Sequence, residues 1–314
     1  MREALTAWMA THVHPSFSGA PLQRIGTGHS RAMYRVVAGD GRRAVVRIEQ
    51  GGVFGTASAE ESRVMGHLHR AGFPVARIIG EELTGDVVGR PFFVMEYLEG
   101  ADDVDERALD HGTAAEFVTT LARLHQLDGA DFGFDIRPAT PHAATALQVQ
   151  RWLGVFRSAV EVPDPLIEEA AAWLILHAPP LERLSVVHGD AGPGNFVHLD
   201  GAVVALTDWE FAHLGDPAED FSFCLTMRGS RTMARDEWLR LFAERASFEM
   251  SADRWLFWEA FNLFKGACAN RTCLRLFESG INSNPNMAII GTTLHQVFLR
   301  RLTDLIIPRG KPIE

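Results

Sequence analysis

The chain changes character once, and that change limits what it can fold into. Up to about residue 98 it reads as short β-rich runs; beyond residue 110 it reads as helices. Met33–Ala38 and Ala44–Ile48 flank Gly39-Asp40-Gly41, a hairpin turn with glycines where positive φ is needed. A helix follows, with Ser58 and Glu61 at capping-box spacing and Gly72 near its end. Val75–Ile79 and Pro91–Leu98 read as further strands. Thr113 and Glu116 then open a helix running through Leu121 and Leu124, and most of the remainder is helical. The pattern predicts an α+β architecture: an antiparallel-sheet lobe over 1–95, a joint at 96–101, and a helical lobe over 102–314.

Charge follows the same division. Residues 1–95 hold 11 arginines and 8 acidic residues; the rest holds 19 basic and 32 acidic residues, giving −10 for the chain. A slightly basic, strand-rich lobe joined to an acidic helical one predicts a nucleotide cleft between them. The acidic balance argues against a nucleic-acid binder or a binder of anionic membranes. Three cysteines without metal-ligand spacing support neither a disulfide framework nor a zinc site, so a reducing, cytoplasmic setting is expected. The N-terminal segment lacks the apolar core of a secretory signal, and no run is long enough to cross a membrane.

The chemistry concentrates between Ser185 and Asp220. Val186-Val187-His188 ends an apolar strand, Gly189-Asp190 opens a loop, and Phe196–Leu199 and Ala202–Leu206 form a hairpin around Asp200-Gly201. Thr207-Asp208-Trp209-Glu210 follows at once. Asp190 and Asn195 are separated by four residues, and a hairpin of this size brings them and Asp208 toward one end of a small sheet. Taken singly, each Asp is the residue type that caps amides or sits in turns. Together they form the set that phosphoryl transfer needs: one carboxylate to orient an attacking hydroxyl, and a second with an amide oxygen for Mg²⁺. Protein kinases use the same spacing.

The segments HGDAGPGN, DWE and GDPAED resemble the aminoglycoside phosphotransferase (APH) family of kinase-like small-molecule kinases. The closest likeness is to the subgroup that includes kinase-like domains fused to acyl-CoA dehydrogenases. GFPVARII, GRPFFVMEYLEG and LARLHQLD extend the likeness along most of the chain. The resemblance implies a protein-kinase-like two-lobed fold, ATP and Mg²⁺ as cofactors, and a small-molecule hydroxyl acceptor as partner. It implies that Asp190 is the catalytic base, that Asn195 and Asp208 bind the metal, and that Glu96 to Leu98 give backbone bonds to adenine. His188 would support the loop, and Asp216, Pro217 and Asp220 would brace it.

The chain departs from kinases at one point. Of its 30 basic residues only Lys265 and Lys311 are lysines, so the usual third-strand lysine is absent. Arg47 stands there, on the opposite strand face from Val46 and Ile48, and its guanidinium fork binds phosphate in a different geometry. Glu61, on the apolar stripe with Val64, Met65 and Leu68, is its expected partner; the competing reading is that Glu61 closes the capping box with Ser58. Gly26, Gly28 and Ser30 form a short Gly-rich loop suited to covering phosphates.

Other features read more plainly. Glu210 has a solvated role or a water-mediated one at the metal. The seven acidic residues of Glu96–Asp110 read as a solvated loop. His188, His198 and His213 match no zinc spacing. Trp255, Phe257, Trp258, Phe261 and Phe264 repeat at helical spacing as core; if part of them lines a pocket, the acceptor is a hydroxyacyl or other partly apolar alcohol. The expectation is an O-phosphotransferase. A nucleotide-binding pseudokinase, motivated by the missing lysine, and an aminoglycoside or macrolide phosphotransferase are the alternatives.

Overall fold

The computed structural model describes residues 1–25, 31–50, 54, 57–98, 102–103, 109–129, 132–135, 137–181, 183–228, 232–246 and 248–307. They form two compact units. The first takes Met1–Asp105, Ala130–Asp135 and Gly194–Ala212; the second takes Glu106–Gly129, Ile136–Pro193 and His213–Glu314.

In the first unit, α1 (Arg2–His12) precedes β1 (Leu22–Ile25), β2 (Arg31–Val37) and β3 (Arg43–Glu49). Next come α2 (Ser58–Arg70), β4 (Ile78–Glu82) and β5 (Phe92–Glu96). The five strands form one sheet in the order β1-β2-β3-β5-β4, every neighbouring pair antiparallel. Alternation along β3 sends Val46 and Ile48 into a core shared with Leu5, Met9, Val36, Phe92 and Val94, so α1 packs on that face. Gly41, with φ +87°, makes the β2–β3 turn that the sequence predicts. Gly80 sits where β4 bulges against β5, and a Cβ there would lie 3.0 Å from Val13 Cγ2. A three-stranded sheet of β6 (Asp102–Asp103), β8 (Phe196–Leu199) and β9 (Ala202–Leu206) completes the unit.

The second unit is built on helices: α3 (His111–Leu124), α4 (Pro141–Ser158), α5 (Pro165–Leu176), α6 (Ala218–Phe223), α7 (Arg235–Arg245), α8 (Ala252–Glu278), α9 (Pro285–Ile289) and α10 (His295–Ile306). A short ladder pairs β7 (Ser185–Val187) with β10 (His213–Gly215). The long α8 is its axis: Phe257, Trp258, Phe261 and Phe264 are all buried, so this aromatic run is core. No helix among the described residues is long and apolar enough to cross a membrane. Cys224, Cys268 and Cys273 are free and buried.

Two local readings need correction. Ser58 is the first residue of α2 and its N-cap is Ala57, which makes no side-chain bond. The Glu49 carboxylate accepts the Ser58 N–H at 3.0 Å instead. α3 is capped by Asp110, whose carboxylate accepts the Thr113 N–H at 3.0 Å and the Thr113 hydroxyl at 2.5 Å, so Thr113 is inside the helix rather than its cap.

Candidate active site

In the first unit, β3 carries Arg47 out of its sheet and into a set of carboxylates. Arg47 is buried; its Nε lies 2.8 Å from Glu61 Oε1 and its Nη2 donates to Asp208 Oδ1 at 2.5 Å. Arg31, diagonal to Arg47 across the Met33–Arg47 pair of β2 and β3, lies 3.5 Å from Glu61 and 3.7 Å from Glu210. Two guanidinium groups therefore face three carboxylates, all but Asp208 nearly inaccessible to water. Glu61 joins two buried cations rather than closing a capping box, because a carboxylate on an apolar stripe gains most from charged donors. Burial draws the Arg47 pKa down, but Glu61, Asp208 and Glu210 outweigh it and hold it above its ordinary value. Burial, and then Asp208, push Glu210 up to about 7.

Lysine at position 47 would keep the charge and lose the fork, since one ammonium cannot reach Glu61 and Asp208 with the same two fixed donors. Arg47→Lys is expected to lower stability by about 1–3 kcal/mol, from charged hydrogen bonds left unmade in a buried site. Urea unfolding measures this, and a variant as stable as the parent would show that the fork is dispensable.

The hairpin of β8 and β9 carries Asn195 and Asp208 to its open end. Phe196 pairs with Leu206, and the Thr207 N–H donates to the Asn195 carbonyl at 2.9 Å, so Asp208 begins one residue beyond the ladder. Asp208 is left-handed, φ 64° and ψ 60°. Trp209, buried behind it, donates from Nε1 to the Leu206 carbonyl at 3.0 Å and anchors the turn. The donor set fits Mg²⁺: a carboxylate and an amide oxygen at one hairpin end, with the Asp208 side chain one-third exposed (33%) beside the buried Arg47. No group of three or more His, Cys, Asp or Glu able to hold a metal occurs among the described residues. Two ligands suit an ion that keeps its own waters and takes further oxygens from substrate phosphate.

In the second unit, the loop after β7 holds Asp190. Every amide at its start is fixed. Asp220 of α6 accepts the His188 N–H at 2.9 Å and the Gly189 N–H at 2.8 Å, and its Oδ2 lies 2.9 Å from His125 Nε2. The Asp190 N–H donates to His188 Nδ1 at 3.2 Å, so that nitrogen is the unprotonated one. Burial drives Asp220 up, but His125 and His188 outweigh it and its pKa is lowered. Beneath the loop, Lys265 Nζ donates to the Gly189 carbonyl and lies 3.0 Å from Glu219 Oε1. Asp216 accepts the Ala218 N–H at 2.9 Å at the start of α6, and takes donors from Arg254 and Trp258. Above the loop, Arg228 grips the Asp190 carboxylate, with Nη2 2.6 Å from Oδ2 and Nε 3.2 Å from Oδ1.

The remaining residues expected from sequence are Glu96, Leu98 and the Gly-rich loop. The Glu96 N–H is taken by the Arg77 carbonyl at 3.0 Å, and its carboxylate accepts the Arg77 N–H at 3.0 Å. Leu98 closes the described stretch after β5. Gly26, Gly28 and Ser30 lie outside the described residues. Sequence reasoning missed Arg31, which strand alternation places on the face of Arg47, so that signal was available. It also missed Arg228, for which nothing local speaks, and it noticed Lys265 only by its rarity.

A strand-borne cation held by a helix glutamate, an H-G-D loop braced by an aspartate and a further Asp beyond a hairpin define a kinase-like α+β protein. The defining pattern of the phosphotransferase enzyme family, APH, matches residues 21–256, and the chain belongs to that family. It is 28% identical over 296 residues to mouse acyl-CoA dehydrogenase family member 10, covering 85% of this chain and 27% of that protein. It is 31% identical over 173 residues to homoserine kinase of Afipia carboxidovorans, covering 52% of this chain and 49% of that one. The crystal structure of a choline/ethanolamine kinase family protein from Mesorhizobium loti superposes with a TM-score of 0.67 at 18% identity, covering 97% of this chain and 94% of that one. This last likeness establishes the fold. The chain spans about a quarter to a third of the length of the acyl-CoA dehydrogenase family relatives it matches.

Proposed function

We propose that the chain is an ATP- and Mg²⁺-dependent O-phosphotransferase acting on a hydroxyl group of a small molecule. The observation that carries this reading is the double grip of Arg47 on Glu61 and Asp208. The missing lysine was the one argument for a pseudokinase, and a buried arginine stands in its place with the partners a phosphate-binding cation needs. In this reading Asp190 accepts the acceptor's hydroxyl proton as the oxygen attacks the γ-phosphorus, the bond to the β-phosphate oxygen breaks, and ADP leaves. Arg47 balances phosphate charge, and Asn195 and Asp208 hold the metal. Bound Mg²⁺ supplies charge neutralisation on the phosphate oxygens. Transfer of this kind is mainly positioning, which suits a loop whose His188, Gly189 and Asp190 amides are fixed. The names of the relatives, homoserine kinase and choline/ethanolamine kinase, favour a small hydroxyl-bearing acceptor.

Mg²⁺ and ATP together are expected to raise the melting temperature by several degrees, ATP with EDTA by much less, and Asp208→Ala is expected to abolish the difference. A melting temperature indifferent to Mg·ATP, with no phosphate released from it, would overturn the reading.

A further inference from the structure

Arg228 has no place in the mechanism above, yet three features of the fold converge on it. It closes a π-turn, Cys224–Arg228, that continues α6. Such wide turns re-aim side chains and are frequent at functional sites. Its guanidinium meets the Asp190 carboxylate fork to fork, at 2.6 and 3.2 Å, while Nη1 donates to the Pro193 carbonyl at 3.4 Å. The side chain passes directly over Gly192, whose φ is +152°; a Cβ there would lie 2.9 Å from both Cβ and Cδ of Arg228. A residue other than glycine at 192 would push the arginine off the loop. The turn at 224–228 and the glycine at 192 come from different parts of the chain, and both bear on this one contact.

We propose that Arg228 is the positioning residue for Asp190. A carboxylate on a loop can rotate about two side-chain bonds, and a base that rotates spends little time aimed at its proton. A bidentate guanidinium fixes both the rotamer and the plane of the carboxylate. It still leaves lone-pair directions for an incoming hydroxyl, since an ionised carboxylate has about four acceptor sites. Arg228 acts through Asp190 and is not itself asked to touch phosphate. The inference rests on the reading of Asp190 as the group that meets the acceptor.

The test uses the full chain and Mg·ATP alone, with water as the acceptor, so no identified substrate is required. Arg228→Ala is expected to lower the hydrolysis rate about 10- to 100-fold, with KM for Mg·ATP changed less than twofold. Guanidinium chloride at about 50 mM should restore a measurable part of that rate in Arg228→Ala and do nothing for wild type. Arg228→Lys should fall between them, a single ammonium replacing a fork. Separately, a double-mutant cycle of Arg228→Ala and Asp190→Ala in urea unfolding should show at least tenfold coupling in the unfolding constant. Wild-type hydrolysis in Arg228→Ala, a loss that guanidinium does not relieve, or an additive cycle would each overturn the inference while leaving the proposed function standing. A wild-type protein inert to Mg·ATP would overturn both.

Discussion

Asp190→Asn is expected to reduce phosphate transfer by about 10²–10⁴, the range that a positioned base supplies, while Mg·ATP binding persists. The substitution keeps shape and removes charge. The backbone N–H that donates to His188 Nδ1 is untouched, and so are the Gly189 and His188 amides held by Asp220. What changes is the carboxylate: one oxygen still accepts from Arg228, but the new amide nitrogen faces a donor and accepts no proton. A binding-only role would leave nucleotide-dependent stabilisation as the sole function, and Asp190→Asn would then leave the Mg·ATP melting shift unchanged with no transfer to lose. Phosphate release under single-turnover conditions, paired with the Mg·ATP melting shift, separates the two. A variant that turns over at the wild-type rate would remove Asp190 from the reaction.

Lys265→Met is expected to destabilise the protein by about 3–5 kcal/mol, the cost of stranding a buried charge. The ammonium sits in α8 with 4% of its side chain exposed, against a Glu219 carboxylate with none. It lies 5.3 Å from the Trp152 ring centre and 5.1 Å from that of Phe223. Glu219 also meets His213 Nε2 at 3.1 Å. Burial drives the Glu219 carboxyl upward, but Lys265 and His213 outweigh it, and its pKa is held below the ordinary 4.5. A carboxylate with a lowered folded pKa contributes stability above its unfolded pKa and loses it as pH falls through the folded value. Lys265→Met should therefore be least costly, relative to wild type, in acid. The double variant with Glu219→Gln should recover much of the loss at neutral pH, since the stranded charge is then gone. Urea unfolding at neutral and acid pH checks both points, and a loss below about 1 kcal/mol at neutral pH would show that water reaches the pair. Because Lys265 also holds the Gly189 carbonyl, the same variant should loosen the turn that carries Asp190.

Much of the site was legible in the sequence. The hairpin of Phe196–Leu199 and Ala202–Leu206 falls where alternation puts it, and Asn195 and Asp208 end at its open end because their spacing and the turn between them leave little else. The pairing of Arg47 with Glu61 was legible too, from strand alternation on one side and a carboxylate on an apolar stripe on the other. Caps were less so. Ser58 and Thr113 each stood at a plausible N-terminus, but their own N–H groups go to the Glu49 and Asp110 carboxylates, and both residues lie inside their helices. A motif names a residue type without knowing its competitors.

By itself the sequence determined the local chemistry: which strands alternate, where the hairpin turns, which acidic and amide side chains stand a few residues apart, and that the cation on the third strand is an arginine. Those follow from backbone periodicity and turn geometry, which reach only a few residues. Beyond Arg47 and Glu61, tertiary structure alone decided the pairings. Arg47 and Asp208 are 161 residues apart, Lys265 and Gly189 are 76, and Arg228 reaches Asp190 across 38. Such contacts exist because packing brings elements together and burial then requires every charge to find a partner, and no local rule says which partner that is.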